Sequence, residues 1–177
     1  MKKRLAALAL CAGIVAMIVL SVLVVRTVRA HQRKMAMLEA VDIPIHTPLR
    51  AAGYVHWTDY LMYVSGYDIL VAKVNPEGFA IPETWHAGTT TIDAIEAECD
   101  IDMVESWFQE QKMTLPPCFD AWYFRETGRG GETYRDWQYY VGLYSADGTL
   151  IVYHGHDLWG LDDYERFKDT EQKNKTN

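Results

Sequence analysis

The sequence predicts an α+β protein, in which one N-terminal transmembrane helix precedes one small domain with an antiparallel sheet and a helical hairpin. Three observations lead to this prediction. Residues 5–25 form an uninterrupted apolar run. All six Trp, eleven Tyr and five Phe lie between Tyr54 and Phe167, which marks the folded domain. The last third of the chain alternates β-type runs with turn signals, which predicts a three-stranded meander.

The apolar run has the length of a membrane span. Only Gly13 and Ser21 in it are not apolar, and it contains no charged residue. As a helix it is roughly 31 Å long, close to the ~30 Å hydrocarbon core of a bilayer. A cleaved signal peptide has a shorter apolar core of about 7–15 residues, so we expect an uncleaved signal anchor. Cleavage after Ala30 and lipid attachment at Cys11 are the alternatives.

The sidedness of the span is predicted from its flanks. Three basic side chains in residues 1–4 precede the span, and four follow it, so the positive-inside rule gives little preference. The short leader, residues 1–4, is expected to stay in the cytoplasm. The sequence therefore predicts a single-pass protein of the cell membrane with residues 35–177 outside the cytoplasm, in the periplasm if the cell is Gram-negative.

The basic residues after the span have helical spacing. They recur at i, i+3, i+7 and i+8, which puts them on one face of a helix that continues to about Ala40. Such a face attracts anionic head groups by about 1 kcal/mol per side chain. Membrane lipid is thus the expected partner of residues 5–34, and the predicted membrane-surface residues are Arg26, Arg29, Arg33 and Lys34.

Charge is divided unevenly along the chain. Residues 1–34 contain seven of the 17 Lys and Arg and no Asp or Glu, so residues 35–177 hold ten basic and 24 acidic side chains, a net charge of −14. A field of this sign repels phosphate backbones and anionic lipid. The domain is therefore not expected to bind nucleic acid.

Composition predicts the domain boundaries. Residues 26–48 form a basic juxtamembrane helix and a connector, because Pro44 and Pro48 each disfavour helix at the preceding residue. Residues 49–167 form the soluble domain, within the usual length of one domain. Residues 168–177 contain no apolar residue and are expected to be a disordered tail.

The first part of the domain predicts a short helix and then a hairpin. Trp57 and the apolar residues up to Val64 have helical spacing, with Thr58 as N-cap and Gly66 as terminator. The same aromatic residues would also suit a strand. Residues 68–74, a turn at 75–78 and residues 79–81 then predict two paired strands, since Pro and Gly occupy the positions that a tight turn favours.

Residues 91–117 predict two packed helices. Their apolar spacing resembles the helix-turn-helix pattern of small DNA-binding regulators. Asp100 lies where that pattern has its turn glycine, and the second helix carries Glu105 and Glu110 and no Arg. A reading helix needs donors for base edges and cations for phosphates, so we expect an ordinary helical hairpin here.

The last third predicts the meander. Its strands are residues 119–125, 134–144 and 149–154, joined by a glycine-rich loop at 128–131 and a turn at 145–148 in which Asp147-Gly148 supplies a left-handed residue. A short helix is predicted at 162–167.

Few residues suggest chemistry. The common motifs of serine hydrolases, phosphate-binding loops and zinc proteases are absent. No catalytic residue is assigned and no cofactor is expected. His154 and His156 alternate on a strand and could face one metal ion, with Asp157 or His86 as a further ligand. A hydrogen-bonded or exposed pair of histidines, with a spacing that often arises by chance, is the simpler interpretation.

An extracytoplasmic location predicts a disulfide. Cys11 lies inside the span, which leaves Cys99 and Cys118 in an oxidising compartment, at the two ends of the helical hairpin. Two reduced, buried cysteines are the alternative.

These features leave three classes of function. The sequence favours a non-catalytic binding or assembly module of the cell envelope, with an unidentified protein partner. Whether the protein is an enzyme is left open, because a metal-dependent envelope enzyme that uses His154 and His156 is the alternative. A cytoplasmic regulator that uses the helical hairpin is the third class.

Overall fold

The computed structural model describes residues 2–44, 46–59, 65–96, 101–130 and 134–160 of the 177-residue chain. The predicted helix at 162–167 and the predicted tail lie outside these residues. The chain divides into two compact units, Met1–Ala36 and Met37–Asn177.

The N-terminal element is one long helix, α1 (Lys2–Ala40). Its segment Gly13–Ala40 is long and apolar enough to cross a membrane, with a mean hydropathy of 2.0 in its most apolar part. The Ser21 and Thr27 hydroxyls donate to carbonyls four residues earlier, at 2.8 and 2.9 Å. Their polar groups are therefore satisfied within the helix, which suits a lipid environment. The predicted N-terminal apolar helix is confirmed.

The second unit contains a six-stranded antiparallel sheet with the strand order β1-β2-β6-β5-β4-β3, which confirms the α+β class. Two short helices, α2 (Ile92–Glu96) and α3 (Asp102–Glu110), precede β4. The link between them, residues 97–100, lies outside the described part, so the predicted hairpin connection is not described. The strands are β1 (Arg50–Asp59), β2 (Ser65–Lys73), β3 (His86–Thr90), β4 (Phe119–Gly130), β5 (Tyr134–Tyr144) and β6 (Thr149–Gly160).

The predicted helix around Trp57 is wrong for its described residues. Trp57 and Thr58 lie in β1, and Gly66 lies in β2. The two strands pair antiparallel, with Trp57 opposite Tyr67 and His56 opposite Asp68. Cross-strand pairing of alternating aromatic and β-branched residues outweighs the weak helical spacing.

The predicted turn at 75–78 is present, because the Gly78 amide donates to the Asn75 carbonyl at 3.1 Å. The predicted strand after it is wrong, since residues 79–81 are not in a strand. β2 pairs instead with β1, which precedes it, and with β6. Proline at position 82 and the exposed residues around it are consistent with a surface loop.

Two of the three C-terminal strands are longer than predicted, and the third, β5, has the predicted bounds. β4 continues to Gly130 and β6 to Gly160, because β5 pairs with both along almost its whole length. His154 and His156 therefore lie inside β6 and not at its end.

One face of the sheet packs against α2 and α3. The helices contribute Ile92, Ile95, Val104, Trp107 and Phe108 to a buried apolar cluster with residues from β2, β4, β5 and β6. The Trp107 indole lies over Gly53, where an added Cβ would come 2.4 Å from the ring. The strand residues in this core are Ile69, Val71, Phe119, Tyr139, Val141, Leu143, Ile151 and Tyr153.

The opposite face is covered at one end by residues 37–43, which comprise the last residues of α1 and the three residues that follow it. Trp85 lies over Gly142 of this face, and its indole N–H donates to the Val41 carbonyl at 2.7 Å. The sequence assigned this segment to the connector 26–48, but its apolar residues Met37, Leu38, Val41 and Ile43 are almost fully buried. Buried apolar side chains stabilise by about 1.5–3 kcal/mol each, so the segment is part of the core.

Candidate functional site

The other end of that second face carries a polar cluster around a buried carboxylate. Asp68 lies in the middle of β2, opposite His56 of β1 on one side and His154 of β6 on the other. Tyr54 precedes His56 by two positions in β1, so the two side chains lie on the same face of the sheet. We call Tyr54, His56, Asp68 and His154 the Asp68 cluster.

Each oxygen of the Asp68 carboxylate is hydrogen-bonded. The Tyr54 hydroxyl donates to Oδ1 at 2.7 Å, and Nδ1 of His56 lies 3.0 Å from the same oxygen. Nδ1 of His154 lies 3.2 Å from Oδ2. Asp68 is only 4% exposed, so these three contacts replace the water that it loses on folding.

The carboxylate is ionised at neutral pH. Burial opposes its ionisation, but the hydrogen bonds from His154 and Tyr54 and the nearby imidazoles hold the pKa of Asp68 below its ordinary value. An ionised carboxylate only accepts hydrogen bonds, so both imidazoles donate through Nδ1. In their neutral forms, His56 and His154 therefore carry the lone pair on Nε2.

His56 also contacts a hydroxyl. Its Nε2 lies 3.3 Å from Thr58 Oγ1, and the lone pair on that nitrogen makes Thr58 the donor. Thr58, His56 and Asp68 thus follow one another in the order hydroxyl, imidazole, carboxylate, as in a Ser-His-Asp catalytic triad. A buried carboxylate needs several hydrogen-bond donors in any case, and Asp68 has donors from the strands on both sides of it. The arrangement is therefore explained by burial alone, without a catalytic role.

Stacked rings surround His154. Its imidazole lies 4.4 Å from the Tyr140 ring at an interplanar angle of 7°, and 5.5 Å from the His156 ring at 28°. His156 lies over Gly66, where an added Cβ would come 2.7 Å from its Cε1 atom. Nε2 of His154 is buried and has no hydrogen-bond partner among the described residues.

The predicted metal ligands are only partly brought together. His154 and His156 are neighbours, but His86 lies on β3 and stacks on Trp122 at 4.4 Å. β3 is three strands from β6, or about 14 Å at the usual strand spacing. The side chain of Asp157 lies outside the description. Within the described residues no group of three His, Cys, Asp or Glu could hold a metal ion, so metal binding by this pair stays a prediction.

The predicted disulfide has no support in the structure. Cys118 is a half-buried free thiol, and Cys99 lies outside the described residues. The pairing stays a prediction.

The predicted membrane-surface residues all lie in α1. Arg26, Arg29 and Arg33 are exposed, and Lys34 is half-buried. Contact of these residues with lipid head groups stays a prediction.

One large aromatic side chain of the second unit is well exposed. Trp57, on the edge strand β1, is 45% exposed, and its ring stacks on Tyr67 at 5.5 Å. Tyr67 stacks on Tyr153 at 6.2 Å, and Tyr153 contacts Tyr139 at 5.7 Å. We call these four residues the aromatic ladder. It holds the exposed indole in one orientation at the rim of the sheet.

Sequence reasoning missed the Asp68 cluster. The alternation Tyr54-x-His56-x-Thr58 is the period of a strand and would have placed three polar side chains on one face. The helical spacing of Trp57 and the apolar residues after it conceals this alternation, because it favours a helix over the same segment.

Comparison of the chain with protein-family models, with curated proteins and with solved structures found no match.

Proposed function

We propose that this is a single-pass membrane protein of the cell envelope whose acidic, aromatic-rich domain lies outside the cytoplasm and acts as a non-catalytic binding or assembly module. The observation that carries the proposal is Trp57, an exposed indole held by the aromatic ladder. Tryptophans that anchor binding surfaces are rigid and lose water on binding, and exposed polar groups surround them.

The energy available at Trp57 is appreciable. Its exposed 45% corresponds to about 110 Å², so complete burial would contribute about 2–3 kcal/mol at 25 cal/mol per Å². The indole loses little conformational entropy on binding, because stacking on Tyr67 already restricts its rotation. The net charge of −14 in residues 35–177 disfavours strongly acidic partners that are free in solution.

Site-specific photo-crosslinking in intact membranes tests the binding surface. A photoreactive amino acid at Trp57 is expected to give a discrete crosslinked product. The same amino acid at Ile81, which is 38% exposed but has no ring stack, is the matched control. Equal, diffuse labelling from both positions would contradict a binding surface at Trp57.

Sidedness needs a separate test. Protease added to intact spheroplasts is expected to digest residues 35–177. Complete protection, with digestion only after lysis, would reverse the proposed topology.

The same topology predicts a disulfide bond between Cys99 and Cys118. Thiol alkylation under denaturing conditions, with and without reductant, tests for this bond. Labelling of both thiols without reductant would exclude it.

The alternative function is a metal-dependent envelope enzyme, and one observation favours it. Asp68 holds Nδ1 of His154, and the buried Nε2 of that ring has no partner among the described residues. A carboxylate on one ring nitrogen and a metal on the other is a frequent arrangement of histidine ligands. Stoichiometric zinc or another metal in purified protein, lost when His154 and His156 are both replaced by Ala, would favour the enzyme.

A further inference from the structure

The two edges of the sheet are unequal. The edge strand β3 has five residues, an irregular register with β4 and Gly88 at a φ of +141°. β1 has ten residues and forms the other edge, and no described strand pairs with its outer side. Proteins protect long edges with Pro, Lys, inward charges or bulges; residues 51–58 of β1 contain no Pro or Lys, but they do contain one such device, the register shift between Ala51 and Gly53.

A bulge in β1 places its two charged residues on the same face. Arg50 lies opposite Lys73 and Asp59 lies opposite Ser65, and both partners are odd-numbered residues of β2. The register shifts between Ala51 and Gly53, which absorbs one residue. Without this bulge, Arg50 and Asp59 would lie on opposite faces, because they are nine positions apart.

We propose, on the basis of the binding function above, that the partner of β1 is a second copy of this chain, paired antiparallel along the same strand. A two-fold axis at Val55 puts each central residue opposite the residue equally far beyond Val55 in the other copy, and the bulge, which absorbs one residue, shifts both ends of the pair by one position. Val55 then faces itself, Tyr54 faces His56, and Trp57 faces Gly53. Arg50 of each copy falls opposite Asp59 of the other.

This register is self-complementary in charge and in shape. Opposite charges meet at both ends of the pair, and no like charges meet within it. Trp57 faces Gly53, which has no side chain to oppose the indole across the pair, although the almost fully buried Trp107 already covers this glycine.

The membrane helix makes self-pairing achievable. Two domains of net charge −14 repel each other in solution. Tethering in one membrane raises the effective concentration of each domain near the other, so a weak contact between edges becomes populated. Pairing also buries the outer polar edge of β1 and the exposed Trp57.

A charge-swap experiment tests the register. Two differently tagged copies of the full chain are coexpressed and solubilised in mild detergent, and their association is measured by co-purification. Arg50→Asp in both copies, or Asp59→Arg in both copies, is expected to weaken association about tenfold, because two opposite-charge pairs become like-charge pairs. Co-purification of an R50D copy with a D59R copy is expected to recover to the wild-type level, since both pairs again have opposite sign.

Several outcomes would overturn the proposal. It fails if the two wild-type copies do not co-purify, or if the mixed R50D and D59R pair is no stronger than the single variants. It also fails if every variant associates like wild type, since α1 is unchanged in all of them and would then be the contact. Thermal unfolding of each variant verifies that the domain is folded.

Crosslinking at Trp57 separates this proposal from the binding function. A product of twice the chain mass that carries both tags supports self-pairing. A product with a different protein overturns self-pairing but leaves a binding module. The absence of any specific product overturns both.

Discussion

The two faces of the sheet achieve burial in different ways. The face under α2 and α3 is continuous hydrocarbon and aromatic surface, with Ile69, Val71 and Ile151 almost fully buried. The opposite face is apolar under Trp85 and residues 37–43, but polar around Asp68. The face under α2 and α3 is thus stabilised by its large buried apolar area. The opposite face depends on residues 37–43 at one end and on the paired Asp68 carboxylate at the other. Single substitutions on the second face are therefore expected to lower the free energy of unfolding by more than their contact area suggests.

The largest expected effect comes from the segment that covers the second face. A fragment of residues 37–177 is expected to unfold cooperatively, whereas a fragment of residues 44–177 is not. The shorter fragment loses four buried apolar side chains, worth roughly 6–12 kcal/mol together, which is comparable to the stability of a small domain. Circular dichroism during heating distinguishes them. Equal melting temperatures would show that the segment is not part of the core.

Asp68→Asn is the next largest change. It is expected to destabilise the domain by about 3 kcal/mol at pH 7, because it removes the charge that three donors surround. Since the folded pKa is lowered, the stabilising effect is present above the ordinary value of 3.8 and is lost as pH falls through the folded pKa. Urea unfolding at pH 7, 5 and 3 is expected to show the difference from wild type shrinking at the lowest pH.

The exposed Glu126→Gln is the control for Asp68→Asn, with little change expected at any of the three pH values. A constant difference between wild type and Asp68→Asn from pH 7 to pH 3 would contradict an ionised Asp68 in the folded state.

The two histidines of β6 are expected to differ. His154→Ala removes a donor to Asp68 and the stack on Tyr140, so a loss of about 2 kcal/mol is expected. His156→Ala removes a ring over Gly66 and is expected to cost about 1 kcal/mol or less. Two histidines at the end of a strand could instead both be replaced by Ala without a loss of stability. Chemical denaturation of the single variants measures this, and equal costs would contradict the special position of His154.

The smallest effect is expected at a surface ion pair. Lys73 Nζ lies 2.9 Å from Asp147 Oδ2. Burial acts against ionisation of Asp147, but hydrogen bonds from Thr149 and Lys73 lower its pKa to about 2. The two side chains are 49% and 56% exposed, so water screens the pair, and Lys73→Met is expected to cost about 0.5 kcal/mol. A loss above about 1.5 kcal/mol in urea unfolding would show that the pair behaves like a buried one.

Much of the architecture could be predicted because its signals are local. The apolar run favours helix over its whole length, and the turn at Asn75–Gly78 follows from its proline and glycine. β1 could not be assigned with the same ease, since Trp57 has apolar neighbours at both helical and strand spacing. Its pairing with β2 decides between them, and that contact is invisible in a short window of sequence.

The candidate site was predicted less well than the fold. His154 and His156 were recognised as one pair because their spacing is local. Asp68 was not distinguished from the other 23 acidic residues, since only the register between β2 and β6 reveals its burial. Its hydrogen bond to His154 joins residues 86 positions apart.

The pairing of β2 with β6 also sets an order of events for a growing chain. Residues 65–73 emerge long before residues 149–160, so the β1–β2 hairpin has no neighbour on its inner side until the last strand arrives. Distant strand pairing is slow, because a long loop must close first. Under the proposed topology, in which the chain crosses the membrane in an extended state, this delay is an advantage, because the sheet closes only after nearly the whole domain has passed. The hydrogen bond between His154 and Asp68 then forms among the last contacts of folding.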